Sequence, residues 1–257
     1  MTPRKQGQQP RRSASPARAK STATPSSQSP SRPTLTAPLA PKPQPRRLSR
    51  AAKLALVDEI CRRFQKATPD PRCELYYKTD FQLLVSVVLS AQATDKSVNQ
   101  SMRDAYDHGF TPDDVLRLGE AGVLKMIRRI GLAPTKAGRV VELARLLKER
   151  HGGQVPSTRE ELEALPGVGR KTANVVLAEI WREPTLAVDT HVYRVTRRLG
   201  LHDEKTAEKC ELRLLDLVDR KYLPQAHHWL ILHGRYTCKA IKPDCEHCSL
   251  KDICPSM

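Results

Sequence analysis

The sequence predicts an all-α fold, on three observations. Alternating strand patterns are absent, bulky aromatics are sparse with only three Phe and two Trp, and apolar residues recur at helical spacing from Leu54 onward. FQLLVSVVLSA, from Phe81, is the most apolar stretch. It is about half the length that a bilayer crossing needs, so it predicts a fully buried helix and no membrane span. Val140, Val141, Ala144 and Leu147 share one helical face, and their run closes on Lys148, Arg150, His151 and then Gly152. A cationic last turn followed by glycine is a helix stop. Ser157 and Glu160 have the spacing of a capping box opening ELEAL, which Pro166 ends. Leu212, Leu215 and Val218 mark a further amphipathic helix, and His227 to His233 another, closed by Gly234.

The chain has 257 residues, room for one large domain or two modest ones. Residues 1–50 stand apart: they hold 11 of the 44 Lys/Arg, no acidic residue and 10 of the 20 prolines. Such a segment cannot bury enough apolar surface to offset its ordering entropy, so it is expected to be a disordered basic tail. The formal net charge of +16 points to a polyanionic partner, nucleic acid first. The tail itself reads either as a non-specific DNA contact or as an organellar transit peptide. Prolines every few residues break any clean amphipathic helix, which favours the DNA reading. Seven Cys, an odd number with four in the last twenty residues, do not form a secreted disulfide scaffold. They suit a metal or cluster site in a reducing compartment.

ELEALPGVGRKTANVVLAEI reads as two short helices joined by the tight turn PGVG. Gly167 and Gly169 allow positive φ and leave the backbone bare. Val168 between them should pack inward. The amides opening the second helix, with Arg170, form a place for a phosphate oxygen. The same residues could equally make an ordinary glycine-capped corner. Lys171 follows in the first turn, as a phosphate-pairing cation or an amine nucleophile. An ordinary lysine is protonated at neutral pH, and a helix N-terminus offsets that by only about 0.3–1 kcal/mol. Most of the activation must therefore come from desolvation when a partner closes the pocket. Asp189, in VDTHV, is a good helix N-cap taken alone. His191 could touch phosphate or simply pack.

The last segment reads C-x6-C-x2-C-x5-C over Cys238, Cys245, Cys248 and Cys254. Four thiolates so placed suit tetrahedral zinc or a [4Fe–4S] cluster, and a single C-x2-C pair tilts toward iron–sulfur. Lys239, Lys242 and Lys251, with Arg235 just before, make the same loop basic. Cys61, Cys73 and Cys210 read as core packing, and His227, His228 and His233 as helix-surface or core residues.

LPGVGRKTANVVL, AVDTHVYRVTRRLG and the cysteine loop, in that order, resemble the endonuclease III family of helix–hairpin–helix DNA glycosylases across residues 54–255. The resemblance implies a six-helix domain over residues 73–183 containing the hairpin. A cluster domain would be built from 51–72 and 184–257, with the site in the cleft between. It implies excision of oxidised pyrimidines from duplex DNA carrying damaged bases or abasic sites. Lys171 would form a Schiff base, Asp189 would stabilise charge developing on the sugar, and β-elimination would follow. Gln92, in LSAQATD, would enter the space left by the flipped base, and Leu132, in IGLAPTKA, would wedge the opposite strand. Gly167, Val168, Gly169, Arg170, His191, Lys239 and Lys242 would contact DNA. The four cysteines would hold a [4Fe–4S] cluster as scaffold for a phosphate-binding loop. A monomer is expected, cytoplasmic and nucleoid-associated or directed to an organelle by the tail.

Overall fold

The computed structural model describes residues 48–257. The basic tail lies outside that span but for its last three residues, which already belong to the fold. Ser49 Oγ accepts from the Ala52 amide and starts α1 (Arg50–Ala67), so the helical part begins earlier than Leu54. There follow α2 (Asp80–Ser90), α3 (Asp95–Asp107), α4 (Pro112–Ile127), α5 (Ala133–His151), α6 (Arg159–Glu163) and α7 (Arg170–Trp181). The chain continues through α8 (Thr190–Arg198), α9 (Ala207–Leu217) and α10 (Leu223–Tyr236), with single 3-10 turns at Arg220–Tyr222 and Lys251–Ile253. No strand occurs among the described residues, so the fold is all-α as expected. No described helix is long and apolar enough to cross a membrane.

Capping chemistry sets most helix starts. Thr79, Thr94, Thr111, Thr158, Asp189 and Thr206 each accept a backbone amide of the first turn. Three expectations need correction at this level. The cap of α6 is Thr158 with Glu161, not Ser157 with Glu160. Leu212 is exposed, and α9 instead buries Cys210, Leu214 and Leu217, the stripe set by its contact with α1. Gly234 does not end α10, which runs on to Tyr236. It is buried where α10 crosses α8, and a Cβ there would meet His191 Cβ at 2.8 Å. Close helix approach, not termination, explains that glycine. Gly152 does close α5, at φ 59°.

Two hydrophobic cores result. One is formed by α2 to α7, around the wholly buried α2 from Phe81 to Leu89, with Ile127, Val140, Leu147, Leu162, Val168 and Val176. The other unites α1 with α8, α9 and α10 through Phe64, Val192, Val195, Leu214, Trp229 and Leu250. A polar tie crosses between them. Arg170 makes a bidentate pair with Glu211, both contacts at 2.9 Å. Within the second core, Trp229 Nε1 donates to the Thr68 carbonyl at the end of α1, at 2.8 Å.

Candidate active site and cysteine centre

The hairpin joins α6 to α7 across residues 164–169. Gly167 has φ 81°, and a Cβ there would press on Val88 Cγ1 at 3.0 Å and on Arg139 Cδ at 3.3 Å. Val168 is buried beneath the turn, as expected. Gly169 does not use that freedom: its φ is −106°, extended backbone open to any residue. A Cβ on Gly169 would meet nothing within 4 Å. Neither conformation nor internal packing asks for glycine there. Gly169 is also the N-cap of α7 and supplies no side-chain cap, so the opening amides face outward uncapped.

Arg170 does not present a free cation. Its guanidinium is engaged with Glu211, whose side chain is only 4% exposed, so only its backbone remains for a phosphate. Lys171, one residue on, is exposed and has no hydrogen-bond or ion-pair partner among the described residues. It lines a small cavity with Cys73, Ser90, Asp95, His227 and Arg235. Burial pushes the Cys73 thiol up to about 12, so Cys73 is no rival nucleophile at neutral pH.

Asp189 caps α8. Its Oδ1 accepts from the amides of His191 at 2.9 Å and Val192 at 2.8 Å, which leaves Oδ2 for other work. The N-cap reading and a chemical role thus coexist. His227, which is buried, lies within electrostatic reach of both Lys171 and Asp189. Burial first, then neighbouring His228, hold the His227 imidazole down to about 3, with Asp189 opposing and Lys171 reinforcing that shift. Its Nδ1 donates to the Ala187 carbonyl at 2.9 Å. Nothing in the sequence pairs His227 with the two residues; only the α10 crossing does.

A wider cleft of ≈ 690 Å³ adjoins this cavity, sharing Glu74, Asp95 and Arg235 with it. His191, Lys96 and Arg103 line it. His191 Nδ1 accepts from Arg194 at 3.2 Å, leaving Nε2 to carry a proton. Arg235 was expected to face phosphate beside the cysteine loop. It is instead held by Asp95 at 2.6 Å and by Glu74. Gln92 and Leu132 are exposed on adjoining loops, at φ 57° and 61°.

The four cysteines converge. Cys238, Cys245, Cys248 and Cys254 line one cavity of ≈ 150 Å³ with Arg198, His233 and Leu250. Burial, then the charges of the other cysteines, push the Cys254 thiol up; at Cys248 the same causes act. Four thiolates so close need a cationic centre to hold them. Two donors already point at sulfur: the Leu250 amide to Cys248 and Arg198 to Cys238, each at 3.4 Å. The residues therefore fit a thiolate-held metal group. Arg194 and Arg198, one turn apart on α8, also clamp the loop by its carbonyls. Arg194 donates to Gly234 at 2.9 Å and to Cys238 at 3.2 Å. Arg198 donates to Lys239 at 2.6 Å and to Ala240 at 3.0 Å. Their i, i+4 spacing in RVTRR was the available clue. Lys239 and Lys242 lie exposed on this clamped loop.

Residues 85–220 match the family described as HhH-GPD superfamily base excision DNA repair protein. Endonuclease III of Rickettsia conorii is 50% identical over 199 residues, covering 77% of this chain and 95% of that protein. The chain belongs to the endonuclease III family. Endonuclease III of Escherichia coli is 48% identical over 196 residues, covering 76% and 93%. The structure of a trapped endonuclease III–DNA covalent intermediate superposes with a TM-score of 0.74 at 38% identity. It covers 81% of this chain and 97% of that one. A non-covalent endonuclease III–DNA complex matches at the same TM-score and identity. Membership places the chain in base-excision DNA repair. The hairpin at 164–169 is the element that names the superfamily.

Proposed function

We propose that this chain is a bifunctional DNA glycosylase and abasic-site lyase that removes oxidised pyrimidines from duplex DNA. The observation that carries the reading is Lys171: an unpaired amine at a helix N-terminus, in a cavity shared with His227, on which Asp189, with one oxygen uncommitted, also acts electrostatically. Once DNA covers the cavity, the ammonium loses its hydration and gives up a proton. Neutral Lys171 Nζ then attacks C1′, the C1′–N bond to the base breaks, and the base leaves with a proton. Asp189 Oδ2 stabilises the positive charge that develops on the sugar. The aminal then opens: its C1′–O4′ bond breaks, O4′ takes a proton, and the iminium so formed acidifies the C2′ hydrogen. Loss of that proton expels the 3′ oxygen and cuts the strand. Activated water in place of an amine could not perform this second step.

Gln92 enters the space left by the flipped nucleotide and Leu132 wedges the opposite strand, which offsets an unstacking cost of a few kcal/mol. The backbone at Gly167, Val168 and Gly169 holds a phosphate, which accounts for a glycine at 169 that the fold does not need. His191, Lys239 and Lys242 add phosphate contacts. Cys238, Cys245, Cys248 and Cys254 hold a [4Fe–4S] cluster, which ties the loop into shape. A tetrahedral zinc would draw thiolates to about 2.3 Å of one centre. The single C-x2-C pair among the four cysteines favours the cluster over zinc.

Borohydride trapping on duplex DNA with an abasic site tests the chemistry. A covalent adduct with the wild-type chain, lost in Lys171→Ala, is expected. An adduct that persists in Lys171→Ala would sink the lyase mechanism. Iron and sulfide analysis of anaerobically purified protein tests the cluster, and colourless protein containing zinc would overturn it.

A further inference from the structure

Gln92 and Leu132 are non-glycine residues with left-handed backbones, φ 57° and 61°. That conformation costs an L-residue roughly 1–2 kcal/mol, so the surroundings must hold it in place. Their own side chains do not, since both are exposed, Leu132 by 58%. The two loops adjoin: a Cβ on Gly131 would lie 3.5 Å from the Gln92 carbonyl oxygen.

Lys136 links them. It is a lysine buried to 3% exposure in the first core. Its Nζ donates to the Leu89 carbonyl at 2.9 Å, at the end of α2 and three residues before Gln92. Its backbone N–H donates to the Leu132 carbonyl at 3.0 Å, the first helical bond of α5. One residue thus ties both loops, by its ammonium and by its amide. A cation suits the unpaired carbonyls of a helix C-terminus. Yet desolvation is expensive, and burial drives the Lys136 pKa down. The fold closes other helices without such a group: α5 and α7 end on left-handed Gly152 and Arg182.

We infer that Lys136 is a positioning residue for duplex opening, holding the Gln92 and Leu132 loops in one register so that both enter the duplex together. The inference rests on the wedge role proposed above for those loops. Lys136 touches no substrate; it acts through the Leu89 and Leu132 carbonyls.

The test compares single-turnover excision of one oxidised pyrimidine in a full duplex and in an unpaired bubble. Lys136→Met should slow the duplex reaction about tenfold, an effect of about 1.4 kcal/mol, and change the bubble reaction less than about threefold. Fluorescence of 2-aminopurine opposite the lesion should rise less than with the wild type, and Lys136→Arg should restore part of the rise. In a Leu132→Ala background, Lys136→Met should add less than about a twofold loss, because coupled neighbours are not additive. Lys136→Gln carries the same comparison if Lys136→Met does not fold. A folded variant that opens duplex at the wild-type rate, or that loses both substrates equally, overturns the inference. Undiminished duplex excision by Gln92→Ala and Leu132→Ala would instead remove the wedge reading, and the inference with it.

Discussion

Gly167 and Gly169 stand two residues apart in one turn and answer to different constraints. Gly167 combines positive φ with a neighbour at 3.0 Å, so Gly167→Ala should lower stability by about 1–3 kcal/mol in denaturant unfolding. Gly169 has extended backbone and open space. Gly169→Ala should leave the melting temperature unchanged and weaken DNA binding, measured by titration. A stability loss there, with unaltered binding, would contradict the phosphate role. Asp189 separates two roles by substitution. Asn caps as well as Asp, so Asp189→Asn should keep stability to within about 0.5 kcal/mol while losing excision, whereas Asp189→Ala should also lose about 1 kcal/mol of cap.

Between elements, the ion pair from α7 to α9 decides what Arg170 can do. Removing one partner of a buried pair strands the other charge, and Glu211 is nearly fully buried. Arg159, at 3.5 Å, is its other cationic neighbour. Arg170→Ala should therefore destabilise by about 2–4 kcal/mol. Because that charge is already matched, Arg170→Gln should leave the salt dependence of DNA binding nearly unchanged. Lys242→Ala, on the clamped cysteine loop, should reduce the salt slope by about one. Equal slope changes for the two would mean that Arg170 reaches phosphate after all.

Across the whole molecule, buried histidines set the acid limit. Burial lowers His227 to about 3 and also lowers His228 and His202. A histidine whose folded pKa is depressed is neutral in both states above about 6.5, so nothing is lost there. As pH falls below that value the unfolded chain binds protons first. Stability then drops by up to about 1.4 kcal/mol per pH unit for each such residue, until the folded pKa is reached. Thermal unfolding should be flat from pH 8 to about 7 and fall steadily toward pH 5. His227→Asn should flatten part of that fall; an unchanged profile would contradict the burial argument.

Much of this was legible in the chain itself. Helical periodicity, the apolar run at Phe81–Leu89 and the order of hairpin, aspartate and cysteines are local patterns, and local patterns survive without knowledge of contacts. The conformations of single residues were legible only where the chain dictates them, as at Gly152. Elsewhere packing decided. Gly234 is a crossing point and not a stop, because α8 presses against it. Arg170 and Arg235 look like free cations in the sequence, yet acidic residues far along the chain claim them. His227 comes within electrostatic reach of Lys171 and Asp189, and Lys136 ties the Gln92 and Leu132 loops, through helix crossings that no spacing encodes. Sequence alone determined which residue types and which helices are present. Tertiary structure decided which charges remain free to meet DNA, because pairing depends on distance in space.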